Sequence, residues 1–318
     1  MATKNGQLMQ YRRLGGTDLQ VSLLGFGGSP LGDVYSPTSP MEGNRAVAFA
    51  IDNGINFFDV SPYYGLTLAE DRLGNALRGK RHEVVLATKC GRYGLNDFDF
   101  SAERVESSLI ESMRRLHTDY IDLLQVHDVE FGSAEQIIGE TIPAMRKFQE
   151  QGRVRYIGIT GYSLTMLLQI ARSVEVDTIL SYCRYNLLVT DMDRTLTPFA
   201  KEHRIGLINA SPLHMGILTE QGAPNWHPAP LAVKEAGKRA ALFCRAHNAD
   251  ISEIALRFCL EHPYVTTTLV GMGTLGEVER NLHAFQITMD PPLLSAVRLQ
   301  MEPELDFVWP SGRVENHG

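Results

Sequence analysis

The sequence predicts an α/β protein: a (β/α)8 TIM barrel with an N-terminal β-hairpin, in one domain spanning residues 1–318. Three observations predict it. Eight short apolar runs recur without strict alternation, as in parallel strands buried on both faces. Amphipathic helical patterns separate them. The competing doubly wound sheet needs a glycine fingerprint after its first strand. Gly25-Phe-Gly27-Gly28-Ser-Pro30 lacks the last glycine and runs into a Pro-rich loop.

In chain order, Tyr11–Leu14 and Leu19–Ser22 flank Gly15-Gly16-Thr17-Asp18 and form a hairpin placed to plug the N-terminal end of the barrel. The strands are Leu23–Phe26, Asn56–Asp59, Val84–Thr88, Tyr120–Val126, Arg155–Ile159, Thr178–Tyr182, Ile205–Asn209 and Thr267–Val270. Tyr35–Pro40 and Gly222–Pro230 are loops within the domain. In Ala102–Leu116, Val105, Leu109, Met113 and Leu116 share one helical face, with Ser101 as N-cap. Ser133 and Gln136 have capping-box spacing, Gly152 suits a C′ position, and Pro143 breaks or kinks the helix between them. The interval between the seventh and eighth strands is about twice the usual, so it holds an extra helix or a long loop.

Apolar residues at 44% and charged residues at 21% exclude disordered, collagen-like and coiled-coil classes. A net charge of −7 with no Lys/Arg block argues against nucleic acid or an anionic membrane as main partner. Apolar runs such as Tyr120–Val126 are too short to span a bilayer. The N-terminus has no apolar signal core, so a cytoplasmic protein is expected. Cys90, Cys183, Cys244 and Cys259 are widely spaced and read as reduced thiols, and the histidines lack metal-ligand spacing, so no metal is expected.

Barrels carry chemistry where their strands end. The second strand ends at Asp59, with Tyr64 in the loop beyond; the third ends at Thr88-Lys89; the fourth at Val126-His127. Each residue alone has a structural reading: turn former, core filler, surface charge, core histidine. Together they are chemical. A buried lysine needs an anion, and Asp59 is near; a cation beside a tyrosine lowers its phenol pKa and makes Tyr64 an acid/base; a neutral His127 donates to a substrate oxygen. The set suits proton transfer at a hydroxyl or carbonyl.

Phe57-Phe-Asp59-Val-Ser-Pro-Tyr-Tyr64-Gly65 and Glu70-Asp-Arg-Leu-Gly74-Asn-Ala-Leu77, with Lys89, His127, Gly158-Ile-Thr160-Gly161 and Ser211-Pro212-Leu213, resemble the aldo-keto reductase superfamily over essentially the whole chain. The resemblance implies a (β/α)8 barrel and hydride transfer between a nicotinamide and a carbonyl or carbinol carbon. It implies Tyr64 as general acid/base, Lys89 and Asp59 as its tuning pair, and His127 as substrate orienter. It also implies cofactor contacts from Gly28, Thr160, Tyr182, Ser211, Leu213, Gly271, Met272, Glu277 and Asn281. NADP-dependent members place Lys and Arg where this chain has Gly271 and Glu277. A carboxylate there repels a 2′-phosphate, so NAD is expected over NADP, with Arg280 as the one cation able to swing toward a phosphate. Ala210 and Tyr182 replace the usual stacking aromatic and amide-binding Gln, and Tyr182 is expected to take part of the ring contact.

Within the superfamily, Ala87–Tyr93, Asp99–Val105, Ile179–Cys183, Ala210–Gly222, Asn225–Ala229 and Leu269–Met272 resemble the plant-type L-galactose dehydrogenases. That implies NAD-dependent oxidation of the anomeric C1 of an L-galactose-like aldose, L-galactose or L-fucose, to the lactone. A small-molecule sugar is then the partner, held by Tyr64, His127 and the aromatic rings Trp226 and Trp309, with polar groups from His127-Asp128-Val-Glu130. The chain would act as monomer or homodimer. An NADPH-dependent general aldehyde/ketone reductase and a non-catalytic nucleotide-sensing subunit are the alternatives.

Overall fold

The computed structural model describes residues 9–316. Strands β1 (Tyr11–Arg13) and β2 (Gln20–Ser22) pair antiparallel. Eight parallel strands follow: β3 (Leu24–Gly27), β4 (Phe57–Asp59), β5 (Val85–Cys90), β6 (Ile121–Val126), β7 (Val154–Gly161), β8 (Thr178–Tyr182), β9 (Gly206–Ala210) and β10 (Thr267–Gly271). They close in chain order, with β10 pairing β3. The fold is therefore the expected (β/α)8 barrel with its N-terminal hairpin.

The helices are α1 (Pro40–Asp52), α2 (Leu68–Ala76), α3 (Ala102–Arg115), α4 (Ala134–Gln136), α5 (Ile142–Glu150), α6 (Leu164–Ser173), α7 (Met192–Glu202), α8 (Leu231–Ala246), α9 (Ile251–Leu260), α10 (Leu275–Gln286) and α11 (Pro291–Leu299). Two of them, α8 and α9, fill the long interval between β9 and β10. Ser101 caps α3 by accepting from the Arg104 N–H. Pro143 falls in the first turn of α5, and a π-helical turn over Ile137–Thr141 joins α4 to it. The widened turn absorbs the missing proline N–H, so the helix is re-phased instead of broken. The capping box is half formed: Ser133 accepts from the Gln136 N–H, but the Gln136 side chain donates to Glu140 at 3.3 Å. Gly152 has φ +71°, as a C′ glycine requires.

Within the barrel, Phe57, Ala87, Leu123, Leu180, Ile208 and Leu269 pack against Leu14, Leu19 and Val21 of the hairpin region. This apolar floor closes the N-terminal end. Side chains two apart on a strand share a face. The layer above Phe57, Ala87 and Leu123 is therefore Asp59, Lys89 and Gln125, and the paired register keeps these strands together (Asp59 opposite Ala87, Lys89 opposite Gln125). The tripling of polar groups at one level follows from pleat and register.

The outer layer is braced at the same place. Buried Glu70 on α2 accepts from Thr88 Oγ1 at 2.6 Å and from Arg115 Nε at 2.7 Å, linking α2, β5 and α3 beside Lys89. Gly74 lets the two helices approach: a Cβ there would lie 2.2 Å from the Arg115 carbonyl oxygen.

The hairpin turn depends on Gly15, which has φ +57° and would place a Cβ 2.2 Å from the Gly206 backbone nitrogen. Gly15→Ala combines left-handed strain with overpacking, so denaturant unfolding should register a loss of about 3 kcal/mol. A change under about 0.5 kcal/mol would mean that the floor does not depend on this turn.

Candidate active site

Asp59, Lys89 and His127 end β4, β5 and β6 or lie just beyond them, and the loop after β4 returns Tyr64 over the same mouth. Lys89 is 2% exposed. Its ammonium donates to Asp59 Oδ1, to the Val60 carbonyl at 2.9 Å and to Tyr64 Oη at 3.3 Å. The ion pair is buried on both sides. Gln125 Nε2 donates to the other Asp59 oxygen at 2.8 Å, leaving Gln125 Oε1 buried without a partner.

The ring of His127 stands edge-on to Tyr64, centroids 5.6 Å apart. Ser61 Oγ lies 3.0 Å from His127 Nδ1 and itself accepts the Tyr63 N–H at 3.1 Å. Its own proton is free to be donated to Nδ1, the arrangement that leaves the ring proton on Nε2. Burial, with Lys89 and Arg92 nearby, lowers the His127 pKa to about 3 against the pull of Asp128. The imidazole is thus neutral with its proton on Nε2, ready to donate to a substrate oxygen.

The phenol differs from expectation. Burial first, then Asp59 and Asp128, push Tyr64 well above its ordinary pKa, with Arg92 opposing. The neighbouring Lys89 does not make it acidic, because that charge is already paired with Asp59. Resting Tyr64 is a neutral phenol, a proton donor that becomes a base only after losing its proton.

The residues expected at a cofactor lie on the complementary arc of the mouth. Thr160, Tyr182, Ser211 with Leu213, Gly271 with Met272, and Gly28 end β7, β8, β9, β10 and β3, which are consecutive neighbours. Gly28 donates its N–H to the Asp59 carbonyl at 2.8 Å, and Met272 donates to the Gly27 carbonyl at 3.1 Å. Thr160 Oγ1 accepts the Asp128 N–H at 3.1 Å. Tyr182 leans on Tyr162 and its hydroxyl donates to Glu130 at 3.2 Å. Ser211, His214 and Met215 have φ of +57°, +49° and +50°. Among the described residues the Leu213 N–H meets no carbonyl in this turn. The His214 and Gly216 N–H groups close this turn onto the Ser211 and Leu213 carbonyls.

At α10, which carries Asn281, Glu277 completes a capping box with Thr274 and also accepts the Gly273 N–H at 2.8 Å. Glu42 takes the Leu275 N–H at 3.1 Å. Two carboxylates thus occupy the donors of this helix start.

Trp226, 52% exposed, meets Tyr35 across the mouth with centroids 5.9 Å apart, joining the loops after β3 and β9. Trp309 is buried instead: it stacks on Tyr162 at 4.6 Å and sits edge-on to His214 and His227. Its ring anchors the C-terminal tail. Sequence reasoning missed Gln125, Ser61 and Arg92. Gln125 was signalled as a polar residue in a largely apolar strand, two positions before His127; Ser61 was signalled by lying two positions beyond Asp59.

A neutral proton donor, a neutral imidazole and a buried ion pair at the mouth of a closed parallel barrel point to a barrel oxidoreductase. The Aldo/keto reductase family model matches residues 23–298, and the chain belongs to that family, whose members use NAD(P)H. It is 44% identical to L-galactose dehydrogenase of Arabidopsis thaliana, covering 97% of this chain and 99% of that one. It is 31% identical to D-arabinose 1-dehydrogenase of Saccharomyces cerevisiae, covering 84% of each. An aldo-keto reductase from Bacillus halodurans, solved in its holo form, is similar with a TM-score of 0.78 and 27% identity, covering 95% of this chain and 98% of that one.

Lys89→Met strands the Asp59 carboxylate in the lumen, and unfolding should show a loss of about 3 kcal/mol. Adding Asp59→Leu should recover most of it while leaving the protein inactive. A single variant as stable as the parent would mean that the pair carries no structural weight.

Proposed function

We propose that this protein is a single-domain cytosolic enzyme that oxidises the anomeric C1 of an L-galactose-like aldose to the lactone with NAD+. The convergence of Tyr64, Lys89, Asp59 and His127 carries the reading. The 44% identity to a protein named L-galactose dehydrogenase supports the substrate class, and four buried free cysteines support a reducing compartment.

A bound nicotinamide supplies the acceptor for the hydride from C1. The chain's residues manage the proton and the geometry. Tyr64, as phenolate, takes the proton of the C1 hydroxyl. His127 Nε2–H holds the same oxygen. Lys89, hydrogen-bonded to Tyr64 and held by Asp59, stabilises the phenolate that accepts this proton. The C1 hydroxyl thus loses its proton, C1 loses a hydride, and the C–O bond becomes the lactone carbonyl. Gly28, Thr160, Tyr182, Ser211, Leu213, Gly271, Met272, Glu277 and Asn281 would hold the dinucleotide, and Trp226 would roof the sugar. The carboxylates of Glu277 and Glu42 support NAD over NADP, since a 2′-phosphate would meet negative charge where it seeks amide donors.

Purified protein with NAD+ should form NADH with L-galactose or L-fucose, and Tyr64→Phe should cut the rate by about 10³-fold. NADPH-dependent reduction of simple aldehydes with every sugar silent would overturn the substrate reading. In titrations NADH should bind at least about tenfold tighter than NADPH, with Glu277→Ala narrowing the gap; tighter NADPH binding would reverse the cofactor reading.

Oxidation needs the Tyr64 phenolate, and the Tyr64 pKa is raised. The reactive fraction therefore grows with pH, and kcat/KM should climb toward tenfold per unit from about pH 6 to about pH 9. With a pKa of about 3, His127 stays neutral throughout and adds no inflection. A break near pH 6.5 abolished by His127→Gln would contradict this assignment.

A further inference from the structure

One buried charged pair, Arg92 and Asp128, lies beside the reacting groups and acts on Tyr64 only through its field. Asp128 follows His127 directly and has left-handed backbone angles, φ 51° and ψ 62°. Such a conformation is uncommon outside glycine and most tolerable for Asn and Asp. The Asp128 N–H is held by Thr160 Oγ1 at 3.1 Å. The carboxylate lies in the mouth, with Oδ2 3.8 Å from His127 Nε2.

Arg92, in the loop after β5, pairs with Oδ2 of Asp128. Its guanidinium lies over the Tyr63 ring, 3.8 Å from the centroid, and beside Phe98 and Phe131 at 5.2 and 5.3 Å. The pair is therefore fixed and nearly dry. Burial opposes the charge on Asp128, but with His127 neutral the cations Arg92 and Lys89 still hold its pKa below the usual value. The side-chain hydrogen bond to this carboxylate comes from Arg92 and falls on Oδ2. A carboxylate accepts only, so it reads a group that donates.

The reacting oxygen is held between Tyr64 Oη and His127 Nε2. In an aldose, the hydroxyl of the next carbon lies about a hydrogen-bond length from it. The Asp128 carboxylate, with Oδ2 3.8 Å from Nε2, stands beside the place that neighbouring hydroxyl would take. Resting on the aldose reading, we propose that Asp128, braced by Arg92, is a specificity residue that accepts the hydroxyl on the carbon adjacent to the reacting one. The enzyme then requires a 2-hydroxy aldose.

The test compares kcat/KM for L-galactose and 2-deoxy-L-galactose in oxidation, and for 2-hydroxypropanal and propanal in reduction, in the parent, Asp128→Asn and Asp128→Ala. The parent should favour each 2-hydroxy compound by about 50-fold, the worth of a hydrogen bond to a charged group. Asp128→Asn should reduce the preference to about fivefold and Asp128→Ala should abolish it. The readout is the ratio within each pair, because any change in Tyr64 acidity on losing the Asp128 charge acts on both members alike. Thermal unfolding of Asp128→Asn, which tolerates the backbone angles, checks that the fold is kept. A parent without preference, or variants that lose both members of a pair equally, would overturn the proposal; equal loss would show Asp128 acting through His127 or the fold. If neither sugar turns over, the aldose reading fails, and the aldehyde pair alone still decides for or against Asp128.

Discussion

The site depends on one buried ion pair. Lys89 and Asp59 sit in the barrel lumen with almost no solvent, where each charge alone would be untenable. They persist because every remaining valence is answered: Gln125 on the second Asp59 oxygen, the Val60 carbonyl and Tyr64 Oη on the ammonium. Those partners come from β4, β5, β6 and the loop after β4. The pair therefore exists only if three strands hold their register, and the apolar floor of Phe57, Ala87 and Leu123 holds it from below.

That dependence explains what the sequence disclosed and what it withheld. The strands are legible because each is a short apolar run, and their ends are legible because polar residues interrupt those runs. Asp59, Lys89 and His127 could thus be assigned to one mouth before any coordinates. Gln125 and Ser61 are as important to the geometry, but their value lies in partners from other strands, which periodicity does not reveal. The direction of the Tyr64 pKa was hidden for the same reason. Proximity to a lysine is visible in the chain; prior commitment of that lysine to Asp59, and the depth of burial, are not. Pro143 was correctly read as a disruption, but its resolution by a π turn depends on packing between helices. Trp309 illustrates the limit of residue type: an aromatic in the tail suits a sugar platform or an anchor equally, and its stacking on Tyr162 spends the ring on the tail.

The mouth divides its labour by strand. The arc β4–β5–β6 brings the proton-handling groups, and the arc β7–β8–β9–β10–β3 completes the closed barrel beside it. Closure of the barrel makes the arcs meet on both sides, so proton donor and hydride partner can face one carbon. Charge is segregated too. Around Tyr64 and His127 the resting groups are neutral, and the paired charges lie one layer below, in Lys89–Asp59, or to one side, in Arg92–Asp128.

This separation bears on how such a site can change substrate without losing its chemistry. Lys89 and Asp59 are locked into the lumen layer, where a substitution costs fold as well as reactivity. Arg92 and Asp128 lie in loops beyond the strands, tied to the site through one hydrogen bond from Asp128 to Thr160 and through aromatic packing of Arg92. Loops at this end of a barrel tolerate change that the strands do not. A pair fixed enough to select a hydroxyl, yet outside the lumen, lets specificity be set next to the reacting carbon while the ion pair that governs the proton is left untouched.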